Sequence, residues 1–320
     1  MNNFFRALIA GYGLLAFRDP FGIRPLILGT RKAPDGSYEW VVTSESLVLE
    51  NGEFEIVRDV MPGEAVFVDL DGNLRWLRGL TVDYPNARNS LGMASSLVLA
   101  GGVLVVQVEN DSESFTAGLD KRNGANLWRV DRPKSANWTT ATVQKTGSGA
   151  EMLLLQSGRG IHAVNPKNGE VAWHYADGAS TIPSSVLAGG VLYVPSHGLT
   201  ALELADDGRS FKQKWRSSRL RPDTASPLVH RDRVYSLNSA GVLTCGDTDS
   251  GKRLWQLRLD GPFGGSPVVA DNHLYAFNEE GKAQVVDLSA PEGRIAGEMD
   301  LGEMILCSPA VSNGALYVRS

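Results

Sequence analysis

The chain has 320 residues, 42% of them apolar and 21% charged, with 35 Gly and seven Trp, a composition that suits one large or two smaller globular domains rich in tight turns. Its net charge is −5, and residues 1–74 hold all of the excess acidity, with six Lys or Arg against eleven Asp or Glu. Neither part has the basic stripe that a nucleic-acid backbone requires, and no apolar run approaches the ~18 residues needed to cross a bilayer.

Taken in chain order, the opening stretch MNNFFRALIAGYG has no charged leader and no small-residue cleavage site, and does not read as a signal peptide. Apolar alternation predicts strands at about 11–18, 24–30 and 38–43, a short helix capped by Ser44 with Glu45 in its first turn, and strands at about 54–58 and 65–70. Gly11-Tyr12-Gly13-Leu14-Leu15-Ala16 has the letters of a dinucleotide fingerprint. Phe17 to Pro20 leads into a turn instead of a helix, so the glycines read as close-packing positions in a strand.

From about residue 95 the sequence repeats. Trp128, Trp173, Trp215 and Trp255 follow one another at intervals of 45, 42 and 40, and Gly124, Gly169 and Gly251 stand four places before three of them. Tyr193, Tyr235, Tyr275 and Tyr317, at intervals of 42, 40 and 42, each end a short apolar strand. Ser226-Pro227, Ser266-Pro267 and Ser308-Pro309 recur in step, with Ile182-Pro183 in the matching place one repeat earlier. Asp120 to Gly124, Asn165 to Gly169 and Asp247 to Gly251 read as hairpin turns, where glycine supplies the left-handed residue and the polar side chain accepts from turn amides.

A four-stranded sheet of this length cannot bury both faces alone, so such sheets stack as blades, with one large Trp filling each wedge. The expected blades span about 95–136, 137–180, 181–222, 223–262 and 263–304, and residues 305–320 open a sixth. The fifth is degenerate, with Ala290-Pro291-Glu292 inserted in its turn and Gly297 where the others have Trp. The fold class is therefore mainly β: an incomplete propeller of about five four-stranded blades plus a partial sixth, residues 75–320, preceded by a small α/β fragment, residues 1–74.

No catalytic, cofactor-binding or metal-binding residue is expected. Cys245 fills a slot that Gly118, Ala163, Ala201 and Val285 fill in the other repeats, and Cys307 sits where Ala225 and Gly265 sit, so both read as packing residues. His162, His174, His197, His230 and His273 form no H-x-H or H-x-x-x-H pair. Tyr84, Trp138 and His197 fall near blade ends, where propellers place ligand contacts, although strand packing explains them too.

The succession of Ser266-Pro267-Val268-Val269, Leu274-Tyr275 and a turn glycine before Leu254-Trp255 resembles the repeat of pyrroloquinoline-quinone-like propellers, a group that includes quinoprotein dehydrogenases and outer-membrane assembly lipoproteins. The dehydrogenases carry two adjacent cysteines against the quinone and acidic and amide ligands for calcium. Cys245 and Cys307 stand sixty-two residues apart, so the resemblance implies neither cofactor here.

The runs GYGLLAFRDPFGIRPLILG and VVTSESLVLENGEFEIVRDVMPGEAVFVDLDGNL resemble the later part of the glutaminase domain of amidophosphoribosyltransferase. That family's nucleophile is a cysteine at the mature amino terminus, and this chain begins Met1-Asn2, so no catalytic residue carries over.

These readings favour a non-enzymatic scaffold that binds a protein or small ligand at a propeller face. The alternatives are a glutamine amidotransferase of purine synthesis and a quinoprotein dehydrogenase. The join near Asn73 to Leu80 reads as a fusion, engineered, computer-generated or misassembled, and the open sheet edges of an incomplete ring lead to self-association. The propeller group usually works outside the cytoplasm and the front segment's family inside it, so compartment stays open.

Overall fold

In the computed structural model, residues 4–9, 13–18, 25–44, 49, 52–61, 64–69, 74–87, 95–312 and 314–319 are described. They form almost nothing but antiparallel strands, in two compact units. Of the helix expected from Ser44, residues 45–48 lie outside the described residues and Leu49 is helical.

The first unit comprises residues 1–140 and the turn 165–170. Its strands are β1 (Phe4–Ile9), β2 (Gly13–Arg18), β3 (Ile27–Lys32), β4 (Tyr38–Thr43), β5 (Glu55–Asp59), β6 (Glu64–Asp69), β7 (Leu74–Gly79), β8 (Val98–Ala100), β9 (Val103–Val108), β10 (Phe115–Asp120) and β11 (Asn126–Asp131), with one helical turn, α1 (Leu80–Asp83). The sheet β1-β2-β6-β7 is a four-stranded meander, and the three-stranded sheet β4-β3-β5 is inserted between its second and third strands. Leu26, Leu28, Val42 and Val60 from the insertion share a core with Ala16, Val66 and Val68 of the meander. Phe67 and Trp76, together with Leu80, share another with Leu104, Val106, Phe115 and Leu119 of the sheet β8–β11.

The second unit, residues 141–164 and 171–320, repeats one four-stranded meander four times. Its blades are β12 (Thr142–Lys145) to β15 (Val171–Tyr175) through β13 (Glu151–Ser157) and β14 (Gly160–Val164); β16 (Val186–Ala188) to β19 (Phe211–Ser217) through β17 (Val191–Val194) and β18 (Leu199–Leu204); β20 (Leu228–His230) to β23 (Arg253–Arg258) through β21 (Arg233–Leu237) and β22 (Val242–Asp247); and β24 (Val268–Ala270) to β27 (Arg294–Asp300) through β25 (His273–Phe277) and β26 (Lys282–Asp287). A hairpin of β28 (Ala310–Ser312) and β29 (Ala315–Tyr317) follows. First strands of successive blades lie side by side, β12 by β16 and β16 by β20. Counted with the sheet β8–β11 of the first unit, the repeat gives five four-stranded blades and a partial sixth, the number expected.

Two tethers recur between successive blades. The first is the tryptophan. In every outer hairpin the register slips by a bulge just after the residue opposite the Trp, at Gly118/Leu119, Ala163/Val164, Ala201/Leu202 and Cys245/Gly246. The residue opposite is small: Gly118, Ala163, Ala201 or Cys245, and a Cβ on Gly118 would collide with the Trp128 indole. This is the physical reason for Cys245, which is wholly buried.

The Trp128, Trp173 and Trp215 indole N–H groups donate to the outer turn one blade on, to the Pro166 carbonyl at 2.7 Å, the Gly208 carbonyl at 3.1 Å and the Thr248 carbonyl at 2.8 Å. The Trp128 and Trp215 rings lie on the turn glycine, so a Cβ at Gly169 would come within 2.8 Å of Trp128 and one at Gly251 within 2.5 Å of Trp215. Trp255 packs on Gly293, which does the same service in the degenerate fifth turn. A Trp that buries about 150–250 Å² is worth roughly 4–6 kcal/mol at ~25 cal/mol/Å².

Trp76, on β7, makes the same contact, donating to the Lys121 carbonyl at 2.8 Å and lying 2.7 Å from where a Gly124 Cβ would stand. Its hairpin has the same bulge, at Phe67/Val68, with Phe67 opposite Trp76. The blade motif thus begins one sheet earlier than the repeats from residue 95 indicate, and the signal was present, because Gly72 stands four residues before Trp76.

The second tether is a hydroxyl placed two residues before each first strand. The amide of Ser184 donates to the hydroxyl of Ser226, Ser226 to Ser266 and Ser266 to Ser308, at 3.0, 2.9 and 2.8 Å. In the first unit the Ser96 amide donates to the Thr140 hydroxyl at 3.0 Å. Ser184, not Ile182, is therefore the match to Ser226, since strand register places the repeat two residues later than the Ile182-Pro183 pair suggests.

Candidate functional site

In an up-and-down blade the turn between strands two and three and the connection from strand four to the next blade leave the sheet at the same end. In the second unit, four such segments from adjacent blades enclose an open cleft of about 710 Å³. Gly158 comes from the β13–β14 turn, Asp177 to Ser180 from the β15–β16 connection, Pro195 to Gly198 from the β17–β18 turn, and Ser218, Arg221 and Pro222 from the β19–β20 connection.

The turn at His197-Gly198 has two left-handed residues, φ +51° and +95°, and a Cβ on Gly198 would strike the Ser217 carbonyl, so glycine is required there. This conformation presents the His197 ring at the cleft, with Nε2 3.0 Å from the Asp177 carbonyl, to which it donates. The Ser196 hydroxyl lies 3.2 Å from the Tyr175 hydroxyl and donates to the same carbonyl at 3.3 Å. The Asp177 carboxylate pairs with Arg216 at 2.6 Å, a contact that pushes the guanidinium pKa up, and Arg216 also donates to the Tyr175 hydroxyl at 3.0 Å. Behind these groups, Gln156 donates to the carbonyls of Ser180 and Pro183 and accepts from the Ser185 amide and hydroxyl, which fixes the β15–β16 connection. Arg221 is exposed, with no protein partner among the described residues.

The repeat anchors lie elsewhere, between blades. Trp128, Trp173, Trp215 and Trp255 are each 8% exposed, on the turns that hold Gly169, Gly208, Gly251 and Gly293, while Gly124 receives Trp76. Tyr193, Tyr235 and Tyr275 lie within β17, β21 and β25, not at their ends, and Tyr317 ends β29 and is exposed. Tyr193 and Tyr235 lie 5.8 and 5.9 Å from the Trp rings of their own blades, Trp215 and Trp255. Burial, with Asp249 and Asp247 behind it, raises the Tyr193 hydroxyl to about 12, and burial likewise raises Tyr235.

Of the loop residues singled out in the sequence, only His197 is in the cleft. Tyr84 packs 4.5 Å from Phe115, beneath the Arg129 guanidinium, and Trp138 is half-buried in the first unit. Arg221, Asp177 and Ser196 were missed because their convergence depends on blade stacking, which no local motif records. Cys307, half-buried, has its Sγ at the Arg319 backbone, and burial raises the Cys245 thiol. Among the described residues no three His, Cys, Asp or Glu side chains cluster in a way that could hold a metal ion, and no helix is long and apolar enough to cross a membrane.

Residues 33–197 and 199–296 match the family model of the outer membrane protein assembly factor BamB. The chain belongs to the BamB family. The match begins within the insertion and runs through the β6–β7 hairpin that carries Trp76. BamB of Yersinia pestis is 21% identical over 220 residues, 61% of this chain and 54% of that protein. The crystal structure of BamB from Moraxella catarrhalis superposes with a TM-score of 0.62 at 17% identity, over 81% of this chain and 74% of that one, a likeness of fold. A different relationship covers 21% of the chain: amidophosphoribosyltransferase of Pasteurella multocida is 52% identical over 68 residues. The chain spans about half the length of the Yersinia BamB and 13% of the amidophosphoribosyltransferase.

Proposed function

We propose that this chain is a non-enzymatic propeller scaffold whose cleft holds an extended segment of a partner polypeptide, outside the cytoplasm, in the assembly of outer membrane proteins. The observation that carries the reading is the wiring of the cleft. His197 donates to a main-chain carbonyl, Ser196 is shared between a carbonyl and a tyrosine hydroxyl, and Asp177 is held by Arg216. Groups engaged in this way are preorganised to bind, and none is poised as a nucleophile beside its base. Arg221 and the backbone of the loops are left to meet a carboxylate or a peptide chain.

Residues 1–74 and 75–320 are read as two pieces of different origin, a glutaminase-like segment joined to a propeller, supported by 52% identity over 68 residues to an amidophosphoribosyltransferase. The join is a fusion in which β7, from the propeller side, completes the sheet that β6 belongs to. A glutamine amidotransferase activity is the second reading and rests on that identity alone.

The test is fluorescence anisotropy with labelled peptides taken from strands of an outer membrane β-barrel, alongside an ammonia assay with glutamine. The scaffold reading expects saturable peptide binding, weakened at least ten-fold in Arg221→Glu with unchanged thermal unfolding, and no ammonia. Catalytic release of ammonia, or peptide binding indifferent to Arg221→Glu and His197→Ala together, overturns it.

A further inference from the structure

The fourth strand of each blade is the last in its sheet, so one of its edges pairs with no strand. Such an edge presents main-chain N–H and C=O groups to any passing chain, and proteins discourage pairing there with charged side chains, lysine above all, or with proline. β11 carries Arg129 and Asp131, β19 carries Lys212, Lys214 and Arg216, β23 carries Arg253 and Arg258, and β27 carries Arg294, Glu298 and Asp300. β15, Val171-Ala172-Trp173-His174-Tyr175, carries no Asp, Glu, Lys, Arg or Pro. The bulge in its hairpin does not set it apart, since the other four hairpins share it.

We propose that the free edge of β15 is a strand-addition site for the partner polypeptide, resting on the scaffold reading above: an extended, uncharged segment joins as a fifth strand of the blade, with an aromatic side chain opposite His174. The edge itself names the occupant, because a row of main-chain donors and acceptors is complemented only by another extended main chain. The side chains on the edge name its character. Val171 is 55% exposed, and Ala172 and His174 are exposed beside it, so the added strand meets apolar and aromatic groups and no fixed charge.

The register adds a position. His162 on β14 and His174 on β15 stand directly opposite each other, and their rings stack with centroids 3.9 Å apart and planes within 13°. The His174 Nε2 lies 3.3 Å from the Arg159 carbonyl, which holds the ring in this orientation. Neighbouring strands lie about 4.7–4.9 Å apart, and directly opposed side chains on one face pair across that gap, so a ring opposite His174 on an added strand continues the stack. The edge also leads to the cleft, since Asp177, two residues beyond the end of β15, is part of the cleft wall.

The experiment is hydrogen exchange of the intact chain, with and without the barrel-strand peptides of the anisotropy assay, together with peptides N-methylated at alternate residues in the two possible registers. Peptide is expected to slow exchange along Val171–Tyr175, and N-methylation in one register to weaken binding at least ten-fold while the other register binds as the parent does, because only alternate groups of an added strand face the edge. His174→Lys should weaken binding at least ten-fold and His174→Phe should preserve it, with thermal unfolding unchanged in both, while Leu254→Lys on β23 has no effect. Peptide binding that leaves exchange along β15 unchanged, or that tolerates N-methylation in both registers, overturns the strand-addition site and leaves the scaffold reading standing. Absence of peptide binding overturns both. Protection of β15 that rises with protein concentration in the absence of peptide assigns the edge to a second copy of the chain and overturns the proposal.

Discussion

Replacing Gly251 by Ala tests the indole tether directly, because the same substitution at Gly189 supplies its own control. Both glycines are left-handed, φ +66° at Gly251 and +56° at Gly189, so alanine costs about 1–2 kcal/mol of backbone strain at either place. They differ in what the new methyl meets. At Gly189 nothing lies within 4 Å, whereas at Gly251 the Cβ would stand 2.5 Å from Trp215 Cε3 and 2.6 Å from Cδ2, about an ångström inside ordinary contact.

The ring has nowhere to retreat, since wholly buried Ala201 lies opposite it and Tyr193 packs 5.8 Å away. Forced overpacking of this kind costs about 1–3 kcal/mol. Gly251→Ala is therefore expected to destabilise by roughly 2–5 kcal/mol against about 1–2 kcal/mol for Gly189→Ala. Urea unfolding followed by tryptophan fluorescence measures both at comparable slope. Equal losses in the two variants would refute the claim that the turn glycine exists to seat the Trp of the preceding blade.

Ser266→Ala removes the acceptor of the Ser226 amide and is expected to cost about 1–2 kcal/mol and to speed hydrogen exchange at that amide, with Ser266→Thr restoring protection. An unchanged exchange rate would show that water replaces the hydroxyl without penalty. The outer turns should also weaken in acid. Arg122 and its amide hold Asp120 at about 2, Ser250 lowers Asp247, and Ser289 and Arg294 hold Asp287 lower still. A carboxylate depressed in the folded state contributes above its unfolded pKa of ~3.9, and the contribution disappears as pH falls through the folded value. Thermal unfolding between pH 5 and 2 should show this loss, shallower in Asp120→Asn and Asp287→Asn; identical profiles would assign the acid sensitivity to other groups.

The blades were legible because each repeats bulky, rare residues at a fixed distance. Trp128, Trp173, Trp215 and Trp255 each face a small partner, and the turn glycines that seat Trp76, Trp128 and Trp215 leave a mark in Gly124, Gly169 and Gly251. Trp76 escaped because it precedes Trp128 by 52 residues, longer than the intervals of 45, 42 and 40 that follow. The hydroxyl tether was half legible: Ser-Pro marks it three times, but Ser184-Ser185 carries the same bond without proline, since only the hydroxyl and amide take part. The cleft was legible only in His197, a loop residue near a blade end. Its other members, Arg221 and Asp177 among them, are brought together by neighbouring blades, and an up-and-down sheet erases any local signature of such meetings.

The two tethers share a direction. Trp173 and Trp215 give their N–H to carbonyls 35 and 33 residues further on, and Ser184, Ser226 and Ser266 give theirs to hydroxyls 42, 40 and 42 residues further on. The array is thus a row of one-way clasps, hooks facing forward and eyes facing back. Deleting a blade strands two hooks on its predecessor and only idle eyes on its successor, and a buried donor left without an acceptor is the costlier loss. A lineage of such repeats can therefore gain or shed modules only where the incoming neighbour brings both eyes, a hydroxyl two residues before its first strand and a free carbonyl in its outer turn.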